Sequence, residues 1–598
     1  MSLLFNPSTY DPSSFDEGTR LKLLALVDFF ETKGLAKNKE EYYSGEWYTD
    51  YLTLIADQRI FADFGTPAEV GRLVGDDPGK NEARWDLARI NELNEILGFY
   101  SLAHWYAWQV SVLGLGPVWL SANQDARKRV AELLAEGHIF GFGLSEREHG
   151  ADIYSSDMIL TRTAEGGFTA SGGKWYIGNG NAAGRLSVYG KFADDDPEHP
   201  GEHVFFLVDP SHPTYELIKN VVAGQMFVAA FNLHGYPVAA DDILHVGKAA
   251  FDAALATVNV GKVNLGWASI GICEHSFYEA VTHAHNRILY GNRVTDFPHV
   301  RRMLADAYAR LVAMKIFAAR STDYFRSASE DDRRFLLFNP ITKAKVTSEG
   351  ERVIDLLWDV IAARGFERDT YFSRAASDIR ALPKLEGTVH VNIALVLKFM
   401  PRYLGAAHGA AQEYPEIPVR QDAGDDAYLF HQGPAKGLGS IGFADWRPAF
   451  DRFADLTNVQ VFREQIDAFT QLVLTAPPTE EQQKDLDYLQ VLGQLFTQIV
   501  YAQLILESAA MALDHGQTRP GSVSDLSDLT EAHLDRMVAV FVNDMSTYAV
   551  ELHGQASATD DQAKAALSIV RKPVIKSAAE NAFVAEVLSY SGTYEMKR

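Results

Sequence analysis

The chain has 598 residues, of which 47% are hydrophobic and 22% are charged, a composition typical of soluble globular proteins. This length predicts two to four domains, because one hydrophobic core rarely grows beyond about 300 residues. The formal charge of −24 disfavours nucleic acid as a partner, since phosphate backbones bind surfaces rich in Lys and Arg. Cys273 is the only cysteine, which excludes an intrachain disulfide framework and favours a reducing, cytoplasmic compartment.

The first part of the chain, from about residue 16 to 136, has helical periodicity. The segment LKLLALVDFFETKG is predicted to end at Gly34, and NQDARKRVAELLAEGH at Gly137, because glycine commonly terminates helices. The N-terminus has no basic region followed by an apolar run, so we expect no signal peptide. We therefore expect an N-terminal α-helical domain over residues 1–137.

The character of the sequence changes at about residue 139. Short runs such as RLSVYGKF and HVFFLVDP predict strands, and Gly, Asp, Pro and Asn separate them. We expect a β domain over residues 138–248 and then, where helical periodicity returns, an α-helical bundle over residues 249–404. Residues 405–442 are rich in Gly and Pro, which predicts a linker or long loop.

The last part of the chain, residues 443–598, is predicted to form an additional α-helical domain, and it has ten more acidic than basic residues. Its most apolar stretch, residues 488–513, is interrupted by Gln, Thr, Ser and Glu507. That pattern predicts a buried core helix and no integral membrane span. The whole order predicts a mainly α protein with a middle β domain.

Three motifs lie in order along this layout, and the first two of them consist of two stretches each. GFGLSEREHGAD covers residues 141–152, and GGKWYIGNG covers residues 172–180. RILYG covers residues 287–291 and is followed by FPHVRRMLAD, and SDIRALPKLEGT covers residues 377–388. Together with the order of helices and strands, these motifs resemble the acyl-CoA dehydrogenase family over roughly residues 16–404.

The resemblance implies an FAD-dependent enzyme that oxidises fatty acyl-CoA thioesters to trans-2-enoyl-CoA, with Glu386 as the catalytic base. A carboxylate can remove the α-proton when hydrogen-bond donors stabilise the negative charge that develops on the thioester carbonyl oxygen. The resemblance implies that the backbone N–H of Glu386 is one of these donors. The flavin supplies the redox step. The alternative for Glu386 is an ordinary acid near a helix start. Gly261, before Lys262, matches the other position at which the family places its base, and it has no carboxylate.

The resemblance also implies contacts to cofactor and substrate. Arg287 is expected at the FAD pyrophosphate of a neighbouring subunit, a task suited to a guanidinium fork, and its alternative is a surface helix Arg. Tyr176 is expected against the flavin ring, and its alternative is a strand aromatic in the core. The remaining implied cofactor contacts are Phe142, Leu144, Ser145, Gly178, Tyr290, Thr388 and His390, and the implied substrate contacts are Ala151, Glu386 and Gly387.

Several positions depart from the family pattern. Gly178 stands where Thr is usual, Ala151 where Ser is usual, and Leu385 where an aromatic residue precedes the base. Ala362 and Ala363 stand where a pair of glycines is common. These changes leave Glu386 in place. Several of them concern positions that contact the cofactor in the family, so the resemblance does not fix the details of cofactor binding or the electron acceptor.

The implied partners are acyl-CoA, an electron-transferring flavoprotein, and further copies of the chain. A dimer is favoured over a tetramer, because the additional helical domain resembles the arrangement in long-substrate members. Two alternatives keep the same layout: an acyl-CoA oxidase that reduces O₂, and a DNA-associated flavoprotein of the alkylation-response type. The acidic C-terminal region argues against the second alternative. The histidines of DPEHPGEH and THAHNR lack ligand spacing, so no metal site is expected.

Overall fold

The structure is a computed structural model that describes residues 3–74, 82–164, 166–432 and 437–597. It is mainly helical with one eight-stranded sheet in the middle of the chain, which confirms the predicted fold class. The chain divides into two compact units. The bundle unit comprises Met1–Ser14, Leu265–Gln421 and Gly437–Lys597, and the sheet unit comprises Phe15–Asn264, Asp422–Lys436 and Arg598.

Helices open the sheet unit. The first of them is interrupted at Gly34, whose φ of 74° and ψ of 167° are not helical, so the predicted end is a break after which the helix resumes. The predicted end at Gly137 is confirmed, because α7 stops at Ala135 and Gly137 has a φ of 91°. The bounds are α1 (Glu17–Ser44), α2 (Thr49–Asp57), α3 (Ile60–Gly65), α4 (Ala68–Gly71), α5 (Leu87–Tyr100), α6 (Leu102–Trp119) and α7 (Gln124–Ala135).

The sheet follows these helices, and its strands are ordered β6-β7-β3-β2-β4-β5-β8, with β1 parallel to β4. Buried side chains such as Val188, Phe206 and Phe231 form its core. The β3–β7 register shifts between Trp175 and Ile177, which leaves Tyr176 without a partner in the ladder. The bounds are β1 (Phe140–Gly143), β2 (Ile159–Arg162), β3 (Phe168–Gly178), β4 (Arg185–Phe192), β5 (His203–Val208), β6 (Tyr215–Asn220), β7 (Val228–Val238) and β8 (Ile243–Val246).

Within its described residues, the bundle unit consists of helices, the loops that connect them and one short hairpin. Its helix α8 begins among residues of the sheet unit, and a π-helical turn at Thr342–Val346 separates α10 from α11. The bounds are α8 (Lys248–Asn286), β9 (Ile288–Leu289), β10 (Asn292–Arg293), α9 (Pro298–Arg326), α10 (Phe335–Ile341), α11 (Thr347–Ile361), α12 (Phe372–Asp378), α13 (Val389–Leu397), α14 (Met400–Gly405), α15 (Arg447–Asp451), α16 (Thr457–Thr475), α17 (Leu486–His515), α18 (Glu531–His553), α19 (Asp560–Leu567) and α20 (Ser577–Ser589).

The apolar helix α17 lies in the core of the bundle unit. Within the described residues it is the one helix long and apolar enough to cross a membrane, and 78% of its most apolar window is buried inside the protein. Burial of this kind is expected of a core helix whose neighbours cover it on all sides. The sequence prediction of a buried helix in this region is confirmed.

A buried group of charges joins the C-terminal helix α18 to helices α9 and α11. Asp544 accepts hydrogen bonds from Arg310 at 2.8 Å and from Arg352 at 3.0 Å. Glu349 accepts from Lys345 at 2.6 Å and from Arg310 at 2.5 Å. Burial alone would raise the pKa of Glu349, but Arg310 and Lys345 outweigh it and hold that pKa well below its ordinary value.

Part of the predicted linker is anchored to the helices of the sheet unit. The carboxylate of Asp425 accepts from the backbone N–H groups of Ala68 at 3.2 Å and Trp85 at 2.7 Å. Asp426 accepts from the N–H of Leu87, the first residue of α5, at 2.9 Å. An acid at this position satisfies an N–H that the helix leaves unpaired. This section of the segment is therefore ordered by specific contacts.

Candidate functional site

Glu386 lies in the loop between a 3₁₀ turn at Leu382–Lys384 and helix α13. Its φ is 52°, and the φ of Gly387 is 84°, so two successive residues have the left-handed backbone conformation. Glycine adopts this conformation freely, whereas for a residue with a side chain it costs on the order of 1 kcal/mol or more. Such strain persists only where surrounding groups hold the loop in place. Glu386 is half-buried, unlike a fully solvated acid.

Two side chains hold this loop, and sequence reasoning missed both of them. Lys343, fully buried in the π-helical turn, donates to the carbonyl oxygens of Pro383 at 2.6 Å and Gly387 at 2.5 Å. The amide of Asn392 donates to the carbonyl oxygens of Gly387 at 3.1 Å and Thr388 at 2.9 Å. The carbonyl groups on either side of Glu386 are therefore fixed. The segment FNPITKAKV contains two lysines, and its sequence does not distinguish Lys343 from Lys345.

The other predicted residues near Glu386 lie along the same loop and the first turn of α13. Thr388 is the N-cap of α13, and its side chain accepts from the N–H of Val391 at 3.4 Å. His390 is exposed, and its carbonyl oxygen accepts from the side-chain amide of Gln490 at 2.9 Å. The structure thus brings Glu386, Gly387, Thr388 and His390 together in one short segment.

Arg287 and Tyr290 lie on the β9–β10 hairpin, immediately after α8 ends at Asn286. Arg287 is exposed, and its backbone N–H donates to the carbonyl oxygen of His283 at 3.0 Å. Tyr290 has a φ of 53° and is 94% exposed, and Ile288 beside it is also exposed. Arg287 follows the last residue of α8 and continues its hydrogen-bond pattern, so both its cofactor role and the alternative of a surface helix Arg stay open. The hairpin presents an Arg and an apolar tip to its surroundings.

In the sheet unit, the segment after β1 is joined to the irregular part of β3. The hydroxyl of Ser145 donates to the carbonyl of Trp175 at 2.7 Å, and the N–H of Trp175 donates to the carbonyl of Ser145 at 3.0 Å. Lys174 donates to the carbonyl of Leu144 at 3.0 Å. Tyr176 follows directly, with a φ of 64° and 60% exposure. The alternative of a core aromatic at Tyr176 is wrong, and the structure places Leu144, Ser145 and Tyr176 side by side.

A buried ion pair underlies this segment. Lys174 donates to Glu146 at 2.6 Å, and Glu146 also accepts from the hydroxyl of Ser156 and the N–H of Asp157. Burial lowers the pKa of Lys174 to about 8, although Glu146 favours its charged form. Glu146, His149 and Asp157 have ligand atoms within 4.8 Å of one another. Of these three residues, Glu146 is the one bound by Lys174, and that ion pair joins the segment after β1 to β3.

Three other predicted residues of the sheet unit have different surroundings. At Gly178 a Cβ atom would lie 2.5 Å from Cγ1 of Val110 and 2.8 Å from Cε1 of Tyr106, so close packing of β3 on α6 explains the glycine. Phe142 is buried and its ring stacks on that of Phe205, with centroids 5.8 Å apart. Ala151 is exposed in the loop after β1. Their contacts to cofactor and substrate stay predictions.

Comparisons with known proteins were consistent with one another. Residues 251–400 match the family model described as acyl-CoA dehydrogenase, C-terminal domain. The short-chain specific acyl-CoA dehydrogenase of Megasphaera elsdenii is 24% identical over 286 residues, which cover 46% of this chain and 72% of that protein. The very long-chain specific mitochondrial acyl-CoA dehydrogenase of Bos taurus is 25% identical over 315 residues, covering 50% of this chain and 46% of that protein.

The same fold occurs in a solved structure of acyl-CoA dehydrogenase complexed with FAD from Bacillus anthracis. The TM-score is 0.70 at 16% sequence identity, and the likeness covers 98% of this chain and 96% of that one. At this identity the likeness shows the fold. Because nearly the whole chain is covered, the C-terminal helices α15 to α20 belong to the shared architecture.

Proposed function

The chain belongs to the acyl-CoA dehydrogenase family, and from that premise we propose that Glu386 is the base of an FAD-dependent α,β-dehydrogenation of fatty acyl-CoA. The product would be the trans-2-enoyl-CoA. The observation that carries the proposal is the left-handed backbone of Glu386, in a loop whose carbonyl groups at Pro383 and Gly387 are bound by Lys343 and Asn392. Active sites commonly contain residues whose strained backbone is held in place by surrounding contacts.

The surroundings of Glu386 suit proton abstraction. A general base must reach the proton in a defined geometry, and a fixed loop removes the alternative positions of the carboxylate. The backbone N–H of Glu386 is the donor that the family resemblance assigns to the thioester carbonyl oxygen. A donor at this oxygen stabilises the charge that develops there as the α-proton leaves. The same residue would thus supply both the proton acceptor and one hydrogen-bond donor.

The residues of the sheet unit fit the flavin expected for this family. Tyr176 lies at a break in the β3–β7 pairing, and its ring is exposed. An exposed aromatic ring is suited to packing against the planar ring system of a flavin. Leu144 and Ser145 lie beside it, and the Ser145 hydroxyl keeps acceptor capacity after donating to Trp175. These residues would hold the isoalloxazine system. When bound, FAD supplies the redox step by accepting the β-hydride.

The β9–β10 hairpin supports an oligomeric enzyme. Arg287 is exposed at the start of this hairpin, and Tyr290 and Ile288 expose apolar surface beside it. We propose that this hairpin contacts a second copy of the chain, where Arg287 binds the pyrophosphate of FAD through charge-assisted hydrogen bonds. A homodimer is the proposed assembly, in a cytoplasmic compartment.

The experiment that tests the proposal is a spectroscopic screen of the purified chain. We expect about one bound FAD per chain and bleaching of the flavin absorbance when a suitable acyl-CoA is added without oxygen. A series of acyl chain lengths would identify the preferred substrate. A colourless protein that takes up no added FAD would contradict the proposal.

The electron acceptor can be tested on the same reduced protein. An electron-transferring flavoprotein is the acceptor we propose, from the family resemblance. Rapid reoxidation by that protein and slow reoxidation by O₂ is the expected result. The opposite order of rates would favour an acyl-CoA oxidase.

A further inference from the structure

We propose that Lys343 is a positioning residue for Glu386, which it holds in reacting geometry by binding the backbone of its loop. The inference rests on the proposed role of Glu386 as the base. It concerns a residue 43 positions before Glu386 in the sequence, on another element of the bundle unit. The ammonium group of Lys343 acts through carbonyl oxygens and needs no contact with substrate.

The contacts of Lys343 span the part of the loop that carries Glu386. Its Nζ lies 2.6 Å from the carbonyl oxygen of Pro383 and 2.5 Å from that of Gly387. One carbonyl therefore lies three residues before Glu386 and the other directly after it. A cation that binds both acceptors resists rotation of the peptide groups between them.

The position of Lys343 is unusual for a lysine. Its side chain has no exposure to solvent, and burial of an ammonium group is costly unless strong acceptors surround it. It also lies in the π-helical turn Thr342–Val346, a conformation that is rare and often found at functional sites. Lys345, in the same turn, is also buried but binds the carboxylate of Glu349 at 2.6 Å. Lys343 thus binds two backbone carbonyl groups of the Glu386 loop, whereas Lys345 binds a carboxylate on the next turn of helix.

The backbone of Glu386 explains why such a residue is needed. Both Glu386 and Gly387 have positive φ values, and a loop without external support would relax toward conformations that a glutamate adopts more readily. Asn392 binds the Gly387 and Thr388 carbonyl groups, on the C-terminal side of Glu386. Lys343 adds the contact on the N-terminal side, at Pro383. A displacement of about 1 Å at a reacting group can lower a rate about 10²-fold.

The test compares Lys343→Met with Lys345→Met as a matched control. Two readouts apply: deuterium uptake by the peptide covering residues 384–392, and the rate of flavin reduction by a bleaching acyl-CoA. In Lys343→Met we expect faster uptake in that peptide alone, an unchanged KM and FAD content, and flavin reduction slowed roughly 10²-fold. In Lys345→Met we expect lower thermal stability with uptake at residues 384–392 as in the wild type.

Lys343→Gln provides a second variant if Lys343→Met does not fold. The amide retains one neutral donor, so both readouts should lie between those of the wild type and Lys343→Met. Unchanged uptake at residues 384–392 in either folded variant would overturn the inference, as would an unchanged rate of flavin reduction. If the wild type itself is not bleached by any acyl-CoA, the proposed function fails, and deuterium uptake still decides whether Lys343 holds the loop.

Discussion

Asp544 of α18 and Arg310 of α9 form a two-pronged ion pair, with both N–O distances at 2.8 Å. Both side chains are largely buried, and Asp544 also binds Arg352 at 3.0 Å. The pair links a helix of the C-terminal region to the helices that precede it in the bundle unit. The C-terminal helices are therefore held by specific charges as well as by apolar packing.

Removal of the Asp544 carboxylate should destabilise the bundle unit. In Asp544→Asn the guanidinium groups of Arg310 and Arg352 lose one carboxylate partner and keep Glu349, so the cost should be about 3 kcal/mol, the lower end of the range for a broken buried ion pair. Chemical denaturation followed by circular dichroism measures the effect. Asp514→Asn is the matched control, because Asp514 pairs with Arg452 near the surface and its loss should change stability little. Equal effects of the two substitutions would contradict this account of the ion pair.

Acid should weaken the sheet unit through Asp196. The side chain of Arg162 donates to Asp196 at 3.1 and 3.2 Å, and with the N–H groups of Glu198 and His199 it lowers the pKa of Asp196 from 3.8 to about 2. Because the folded-state pKa is depressed, this stabilisation is complete above about pH 4 and is lost as the pH falls toward about 2.

The variant Asp196→Asn isolates this contribution. The stability difference between wild type and Asp196→Asn should be constant from neutral pH down to about pH 4 and then shrink toward pH 2. Urea denaturation at a series of pH values measures it, with the exposed Asp195→Asn as control. A difference that persists undiminished at pH 2 would contradict the assigned pKa.

Tyr176 should contribute to FAD affinity through its exposed ring. An aromatic contact contributes about 0.5–1.5 kcal/mol beyond burial, so Tyr176→Ala should weaken FAD binding roughly 2- to 10-fold. Titration of the FAD-free protein, followed by flavin fluorescence, measures the affinity. Tyr154→Ala is the control, because Tyr154 is 69% exposed in the same unit and packs on Phe251. An equal loss of affinity in both variants would show that Tyr176 has no particular role.

Sequence periodicity was sufficient to predict the fold class and the buried helix α17, because both depend on the local order of apolar residues. The motifs also identified Glu386 as the candidate base. The sequence did not reveal Lys343, because its two acceptors are backbone carbonyl groups 40 and 44 residues away, and any residue type offers a carbonyl. The hydrogen bond from the backbone N–H of Trp85 to the carboxylate of Asp425 could not be predicted either, because one partner is a backbone group and the two residues are 340 positions apart. The left-handed backbone of Glu386 was also unpredictable, since a glutamate rarely adopts it.

The central claim is that Glu386 removes the α-proton, and Glu386→Gln tests it most directly. The amide keeps the size of the side chain but is no proton acceptor, so the variant should fold and bind FAD and acyl-CoA. General base catalysis contributes roughly 10²–10⁴-fold, and flavin reduction should slow by that factor. Glu351→Gln is the matched control, because Glu351 pairs with Lys384 beside the loop, and its loss should leave the rate within about twofold of the wild type.

The measurement is anaerobic stopped-flow mixing of each FAD-loaded variant with a bleaching acyl-CoA, observed at the flavin absorbance band. The account predicts rapid bleaching in the wild type and in Glu351→Gln, and bleaching slowed by roughly two orders of magnitude or more in Glu386→Gln. Bleaching of Glu386→Gln at the wild-type rate would contradict the account and identify Glu386 as an ordinary acid of the loop.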